Sequence, residues 1–295
     1  MGKMIAVCGS PNCGKTTAAL KLAQEIYALK KASVMFLSPD LNVPCMAYLF
    51  PNGKDSDLYS LGVALDKTDI YREDILKQTV NVKTMQNFGC LGFKLGENRY
   101  SYPRPTEDKV TQLFAVTKEN ADYVIVDCTC DPNDMVSSIA KRDCDIAIQM
   151  FTPDMKCISY YASCVNQFLM IEDKKIKVLN VMDKDIYLPI NEVETHFKGM
   201  TFKLPYERIL KQQMITGTLS ERIGGCKYRS EIEKIAKAEL DKPFAHEEEL
   251  KTKSARLAEL NAMLDLNKKD NEIVDGEREE TEKDEPDRSD SRDER

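Results

Sequence analysis

The chain has 295 residues, 42% hydrophobic and 31% charged, with ten cysteines, two histidines, no tryptophan and a formal net charge of −7. That length suits one α/β domain with an appendage, and no apolar run approaches the roughly 20 residues needed to span a bilayer, so an integral membrane segment is excluded. The cysteines are scattered, several of them (Cys8, Cys144) inside apolar runs, and no secretory signal precedes them; they read as reduced thiols in a cytoplasmic protein rather than as a disulfide framework.

The first element, MIAVCG, is a short apolar run of buried-strand type ending at Gly9. It leads into GSPNCGKTT, where Gly9, four residues, Gly14, Lys15 and Thr16 have the G-x-x-x-x-G-K-[ST] spacing of a P-loop. KTTAALKLAQEIYALKK follows, with Ala18, Leu22, Ile26 and Leu29 at helical spacing. Strand, loop and helix in this order set phosphates at a helix N-terminus, where unpaired N–H groups and the helix dipole favour negative charge. The loop residues Gly9, Ser10, Pro11, Asn12, Cys13, Gly14, Lys15, Thr16 and Thr17 thus point to ATP and Mg2+ as ligands. Lys15 is expected to reach the terminal phosphates and the Thr16 hydroxyl to bind Mg2+.

SVMFLS reads as a second strand, LYSLGVAL and YREDILKQTV as helices, FGCLGF as a strand, TEDKVTQLFAVTKE as a helix and DYVIVD as a strand ending in an acid. DMVSSIAKR, CDIAIQMF, DMKCISYYASCVNQFLM, IKVLNVMD and MTFKLP continue the alternation of helix and strand. Such alternation implies an α/β fold, a mostly parallel sheet with helices on both faces. Residues 207–240 read as helical and basic, interrupted by GTLSERIGG. The organisation expected is a P-loop ATPase domain over 1–243, a C-terminal helix within 244–268 and a disordered tail over 269–295. Leu250, Leu257 and Leu264 are seven apart, which suits either a surface helix or a short coiled-coil contact. From Asp270 onward there are thirteen Asp or Glu and five Lys or Arg, so the rest of the chain carries about +1; the tail has too few apolar residues to order itself.

Hydrolysis of a bound nucleotide needs magnesium held by a second acid and a water held in line. Asp127, closing DYVIVD, is placed to reach magnesium through a water. Asp40, after the second strand, either orients the attacking water or caps the turn that follows. His196 and His246 fall in no candidate site.

With these motifs the chain resembles the ParA/MinD-type P-loop ATPases over about residues 4–240. The resemblance is carried by GSPNCGKTT, VMFLSPDLNVP, ADYVIVDCTCDPND, VLNVMDKD and KLPYERILKQQMITG. It implies a nucleotide-dependent homodimer whose weak ATPase activity acts as a timer, and it sets Asn180 against the base. Members of that family carry a signature Lys after the first loop glycine, where this chain has Ser10, and a paired D-x-D where this chain has Ser38 and Asp40. Slow or partner-activated hydrolysis is therefore expected. An atypical loop of this kind, with FGCLGFKLGENRYSYPRP, resembles the TadZ/CpaE branch, which implies protein partners in a larger machine such as a Tad-type pilus, secretion or conjugation apparatus.

Two alternatives remain open at this level. Cys128 and Cys130, one residue apart beside Asp127, would give four thiolates across a dimer axis and suit a metal-centre maturation ATPase; they suit equally a tight switch built from small residues. Arg208, Lys211, Arg222, Lys227, Arg229, Lys234 and Lys237 would form a DNA-binding face of the kind a partitioning ATPase needs, or the solvated faces of late helices, and the acidic tail disfavours DNA.

Overall fold

The computed structural model describes residues 2–53, 58–185 and 188–240, and beyond them 252–253, 255–257 and 259–260. The domain lies within residues 1–243 and is built on an eight-stranded sheet of order β3-β4-β2-β5-β1-β6-β7-β8. The strands are β1 Lys3–Gly9, β2 Val34–Ser38, β3 Val80–Asn81, β4 Phe88–Gly92, β5 Tyr123–Asp127, β6 Ile146–Phe151, β7 Lys175–Asn180 and β8 Phe202–Leu204. Every neighbouring pair is parallel except β3 with β4. This is the α/β architecture, a mostly parallel sheet between two helix layers, expected from the alternating strands and helices. The edge pair β3–β4 was not: Val80 closes what reads as one helical run, YREDILKQTV, and Asn81 follows it, but α4 (Arg72–Gln78) stops at Thr79, whose extended backbone leads into the edge strand.

The central strands are buried on both faces, as parallel strands under two helix layers must be. Alternate residues therefore serve different cores. Ile5 and Val7 of β1, Phe36 of β2 and Ile148 of β6 pack with α1 (Lys15–Lys30) and α10 (Lys227–Leu240). Met4, Ala6 and Cys8 of β1 face the opposite layer. That layer comprises α3 (Leu61–Leu65), α4, α5 (Glu107–Asn120), α6 (Met135–Asp143) and α7 (Met155–Ser163). Short helices at α2 (Met46–Leu49) and α8 (Ile190–His196) and a longer one at α9 (Arg208–Thr216) complete the set. The helix expected across DMKCISYYASCVNQFLM ends at Ser163, and Val165–Ile171 continues as a 3-10 turn. Phe168 and Ile171 are its buried residues, three apart, a spacing that matches three residues per turn.

α1 is tied to the late segment by charge as well as by packing. Glu25, 4% exposed, accepts from Arg222 Nη2 at 3.0 Å and from Arg229 Nε at 2.8 Å. Lys21, 2% exposed, donates to the carbonyls of Leu219 and Glu221 at 2.8 and 2.6 Å, and burial lowers its pKa to about 7. Removing one member of a buried pair leaves its partners uncompensated, although both arginines are partly solvated here. Glu25→Ala is expected to lower stability by about 3 kcal/mol in urea unfolding, and Arg222→Ala by less because Arg229 remains; a loss below about 1 kcal/mol for Glu25→Ala would show that the triad is a solvated surface feature.

No described helix is long and apolar enough to cross a membrane. In the C-terminal unit, residues 252–253, 255–257 and 259–260 are helical, Arg256 pairs with Glu259 at 3.0 Å, and Leu257 and Leu260 are exposed. Leu250, Leu264, His246 and the acidic tail 269–295 lie outside the described residues.

Candidate nucleotide-binding site

β1 sits between β5 and β6, and its carboxyl end carries the loop Gly9–Gly14 into α1. The chain crosses from β1 to β2 on one side and from β5 to β6 on the other, so the loops after β1 and β5 flank the point where the sheet's winding reverses. Ligands of open parallel sheets bind in such a crevice. The loop has room for glycine alone at two positions. A Cβ on Gly9 would lie 2.7 Å from the Met150 carbonyl, and one on Gly14, at φ 81°, would lie 2.5 Å from Asn180 Nδ2. Gly14 also heads α1 with no side-chain cap, and no acid occupies the first turn. The first N–H groups of α1 are thus left for an anion.

Around that end the side chains converge. Lys15 Nζ donates to the Ser10 carbonyl and to Cys130 Sγ, both at 2.9 Å. Thr16 Oγ1 donates to Asp127 Oδ2 at 2.7 Å, and Ser38 Oγ donates to the same oxygen at 3.2 Å. The strand register explains the meeting: Asp127 is level with Val7 on β1, and Val126 with Leu37 on β2. Asp127 is 4% exposed, and its Oδ1 is buried without a hydrogen-bond partner. Burial raises its pKa from 3.8 to about 6, against the lowering influence of Thr16, Lys15 and Ser38. A hydroxyl on one side and an orphaned carboxylate oxygen on the other form a hard oxygen donor set that fits Mg2+ with its waters.

Asp40 Oδ1 accepts from the N–H groups of Asn42 at 2.8 Å and Val43 at 3.0 Å, so it caps the turn after β2 while lining the same cleft. The cleft, about 480 Å3, is lined by Pro11, Asn12 and Gly14–Thr17 on one side and by Asp40, Asp127 and the β5–α6 loop on the other. Ser10 and Cys13 do not reach it. Ser10 is 1% exposed, its hydroxyl has no conventional hydrogen bond, and it lies against the thiols of Cys13 and Cys157. Asn180 is also buried: its Nδ2 donates to the Cys13 carbonyl at 2.9 Å and so props the loop from beneath. Met182, two residues on, Met214 of α9 and Tyr48 of α2 also wall the cleft. Sequence analysis named none of the three, because a methionine or tyrosine in a loop or on a helix carries no local mark that it faces a cleft.

The two cysteines of DCTCD diverge. Cys128 is 1% exposed and directs its thiol to the carbonyls of Val126 and Ser137, whereas Cys130 turns to the P-loop. One chain therefore does not present the two sulfurs as a joint metal half-site. Most of the late basic residues are engaged within the domain: Arg222 and Arg229 hold Glu25, Lys234 pairs with Glu231, Lys237 with Glu233, and Lys211 lies 4.0 Å from Asp183. Lys211, Lys234 and Lys237 stay more than half exposed in these pairs, so their charges remain at the surface.

The sequence matches no family model and no curated protein. The fold, in contrast, is shared with solved structures. The septum site-determining protein MinD complexed with Mg-ADP from Pyrococcus horikoshii is 16% identical, with a TM-score of 0.62, over 82% of this chain and 97% of that one. A ParA family ATPase from Chlorobium tepidum is 12% identical, TM-score 0.65, covering 80% and 99%. The MinC:MinD cell division protein complex from Aquifex aeolicus is 13% identical, TM-score 0.62, covering 82% and 97%. At these identities the likeness is one of fold: the domain has the fold of the MinD and ParA ATPases.

Proposed function

We propose that the chain is an ATP-binding switch that dimerises when it holds Mg–ATP, hydrolyses ATP slowly or under a partner's influence, and positions or assembles a larger machine. The observation that carries this reading is the Thr16–Asp127–Ser38 cluster, with its orphaned Oδ1, beside Lys15 at the uncapped start of α1. The fold likeness to an Mg-ADP complex of MinD supports it.

In this reading the loop Gly9–Thr17 holds the phosphates through its backbone N–H groups, all but Pro11 having one, and the Lys15 ammonium moves from the Ser10 carbonyl to the terminal phosphate oxygens. The Thr16 hydroxyl and Asp127 would hold Mg2+, which would neutralise phosphate charge. Asp40 keeps Oδ1 on its turn and offers Oδ2 to orient the attacking water. Asn180 meets the base, as the resemblance implies, with Met182 and Met214 of the cleft wall packing beside it. Contacts to the terminal phosphate would favour one arrangement of the loops after β2 and β5, and hydrolysis would release it. The finer assignment, to a Tad-type pilus, secretion or conjugation apparatus in the cytoplasm, rests on Ser10 and on the FGCLGFKLGENRYSYPRP segment. Residues 244–268 and the acidic tail 269–295 enter the proposal only as an appendage to the domain.

Light scattering in Mg–ATP, Mg–ADP and no nucleotide tests the switch. Mg–ATP alone is expected to raise the mass from that of a 33.5 kDa monomer to twice that value, with no change for Lys15→Ala. A mass that ignores nucleotide would end the dimer-switch reading.

A further inference from the structure

Cys130 has a place in the cleft that phosphate binding does not use. Its sulfur receives Lys15 Nζ at 2.9 Å and donates to the Gly9 carbonyl at 3.2 Å, joining the β5–α6 loop to both ends of the P-loop. Seven of the ten cysteines are buried; Cys130, Cys164 and Cys226 are partly exposed. Of these three only Cys130 lines the cleft, which it shares with the buried, unpartnered Oδ1 of Asp127, a second mark of a ligand-taking space. Among the described residues no cation donates a hydrogen bond to Cys164 or Cys226. Access from solvent together with an adjacent ammonium are the conditions under which a cysteine becomes an effective nucleophile.

We infer that Cys130 is a modification site for low-molecular-weight disulfides and related soft electrophiles, and that its modification and nucleotide binding exclude each other. The exclusion rests on the cleft being the nucleotide site. In the reaction the Cys130 proton leaves to solvent and its sulfur attacks one sulfur of R–S–S–R. A Cys130–S–S–R bond forms, the old S–S bond breaks, and RS⁻ departs with the electron pair. The attached group then occupies the space beside Lys15 where the terminal phosphates would lie. Conversely, a bound triphosphate draws Lys15 off the sulfur and covers it. An added thiol reverses the exchange and frees the cleft.

The experiment uses the full chain and an aromatic disulfide that releases a coloured thiolate, with peptide mass mapping and equilibrium binding of Mg–ATP before and after labelling. One fast thiol per chain is expected, mapping to Cys130, lost in Cys130→Ser and kept in Cys164→Ser and Cys226→Ser. Saturating Mg–ATP should slow it at least about tenfold, and the labelled protein should bind Mg–ATP at least about tenfold more weakly until thiol is added. A fast phase that maps to Cys164 or Cys226, or a labelled Cys130 with unchanged affinity, overturns the inference while the nucleotide site stands. Reduced protein that binds no Mg–ATP overturns the switch reading and the mutual exclusion with it, and labelling at Cys130 would then mark a reactive thiol alone.

Discussion

Asp127→Asn is expected to do two opposite things: raise the thermal stability of the nucleotide-free protein near pH 7.5 and remove the magnesium dependence of nucleotide binding. Asp127 is buried, and burial is what lifts its pKa from 3.8 to about 6. A carboxyl that titrates higher in the folded state than in the unfolded one holds its proton more tightly when folded. Its contribution to stability is therefore neutral below about pH 3.8, falls as pH rises, and is fully unfavourable above about pH 6. Two pKa units correspond to about 3 kcal/mol. Asparagine keeps an oxygen to accept from Thr16 and Ser38 and carries no charge, so at pH 7.5 it should recover part of that amount and raise Tm by several degrees, about 2–4 °C per kcal/mol. At pH 4 the gain should vanish. Calorimetry of both proteins at the two pH values, without nucleotide, decides the matter: an equal loss at both would mean that the carboxylate is a net structural asset. In the parent protein, protonation of Asp127 also predicts that Mg–ATP binding weakens as pH falls below about 6.

Lys15→Ala should be the most damaging substitution to ligand binding and one of the mildest to the fold. Lys15 bonds the Ser10 carbonyl and Cys130 Sγ, neither of which is a charge, and the buried Asp127 carboxylate that its ammonium favours can take up a proton when it is lost. Hydrogen bonds to charged groups contribute about 1.5–3 kcal/mol each, and phosphate presents several acceptors. A fall in Mg–ATP affinity of about a hundredfold or more is expected from titration calorimetry, with a shift in urea midpoint within about 1 kcal/mol of the parent. If affinity falls less than tenfold, phosphate is held elsewhere and the P-loop spacing is incidental.

Local features were legible where chemistry and spacing coincide within a few residues. The strand–loop–helix of residues 4–30, the glycines at 9 and 14, the acid closing β5 and the parallel α/β class all follow from short-range pattern. Steric room at Gly14, uncapped N–H groups at α1 and apolar runs for doubly covered strands are properties that one segment carries alone. Element ends were less legible. β3 hides at the end of a helical run because two residues cannot show a period, and the 3-10 turn after α7 changes a spacing of 3.6 to 3.0 without changing composition.

Sequence by itself therefore determined the cradle and its loop, because a P-loop is a contiguous stretch whose spacing is read within a few residues. Tertiary structure alone decided what stands around it. Inserting β5 between β2 and β1 brings Ser38, Thr16 and Asp127 together; Ser10 and Cys13 face inward against Cys157; and Cys130 reaches Lys15 across 115 positions. Likewise, Arg222 and Arg229 meet on a buried Glu25, and Met182 and Met214 join the wall of the cleft while Asn180 holds the Cys13 carbonyl behind the loop. Such contacts depend on strand order and on which of two layers a residue faces, and neither is encoded in the periodicity of any single segment.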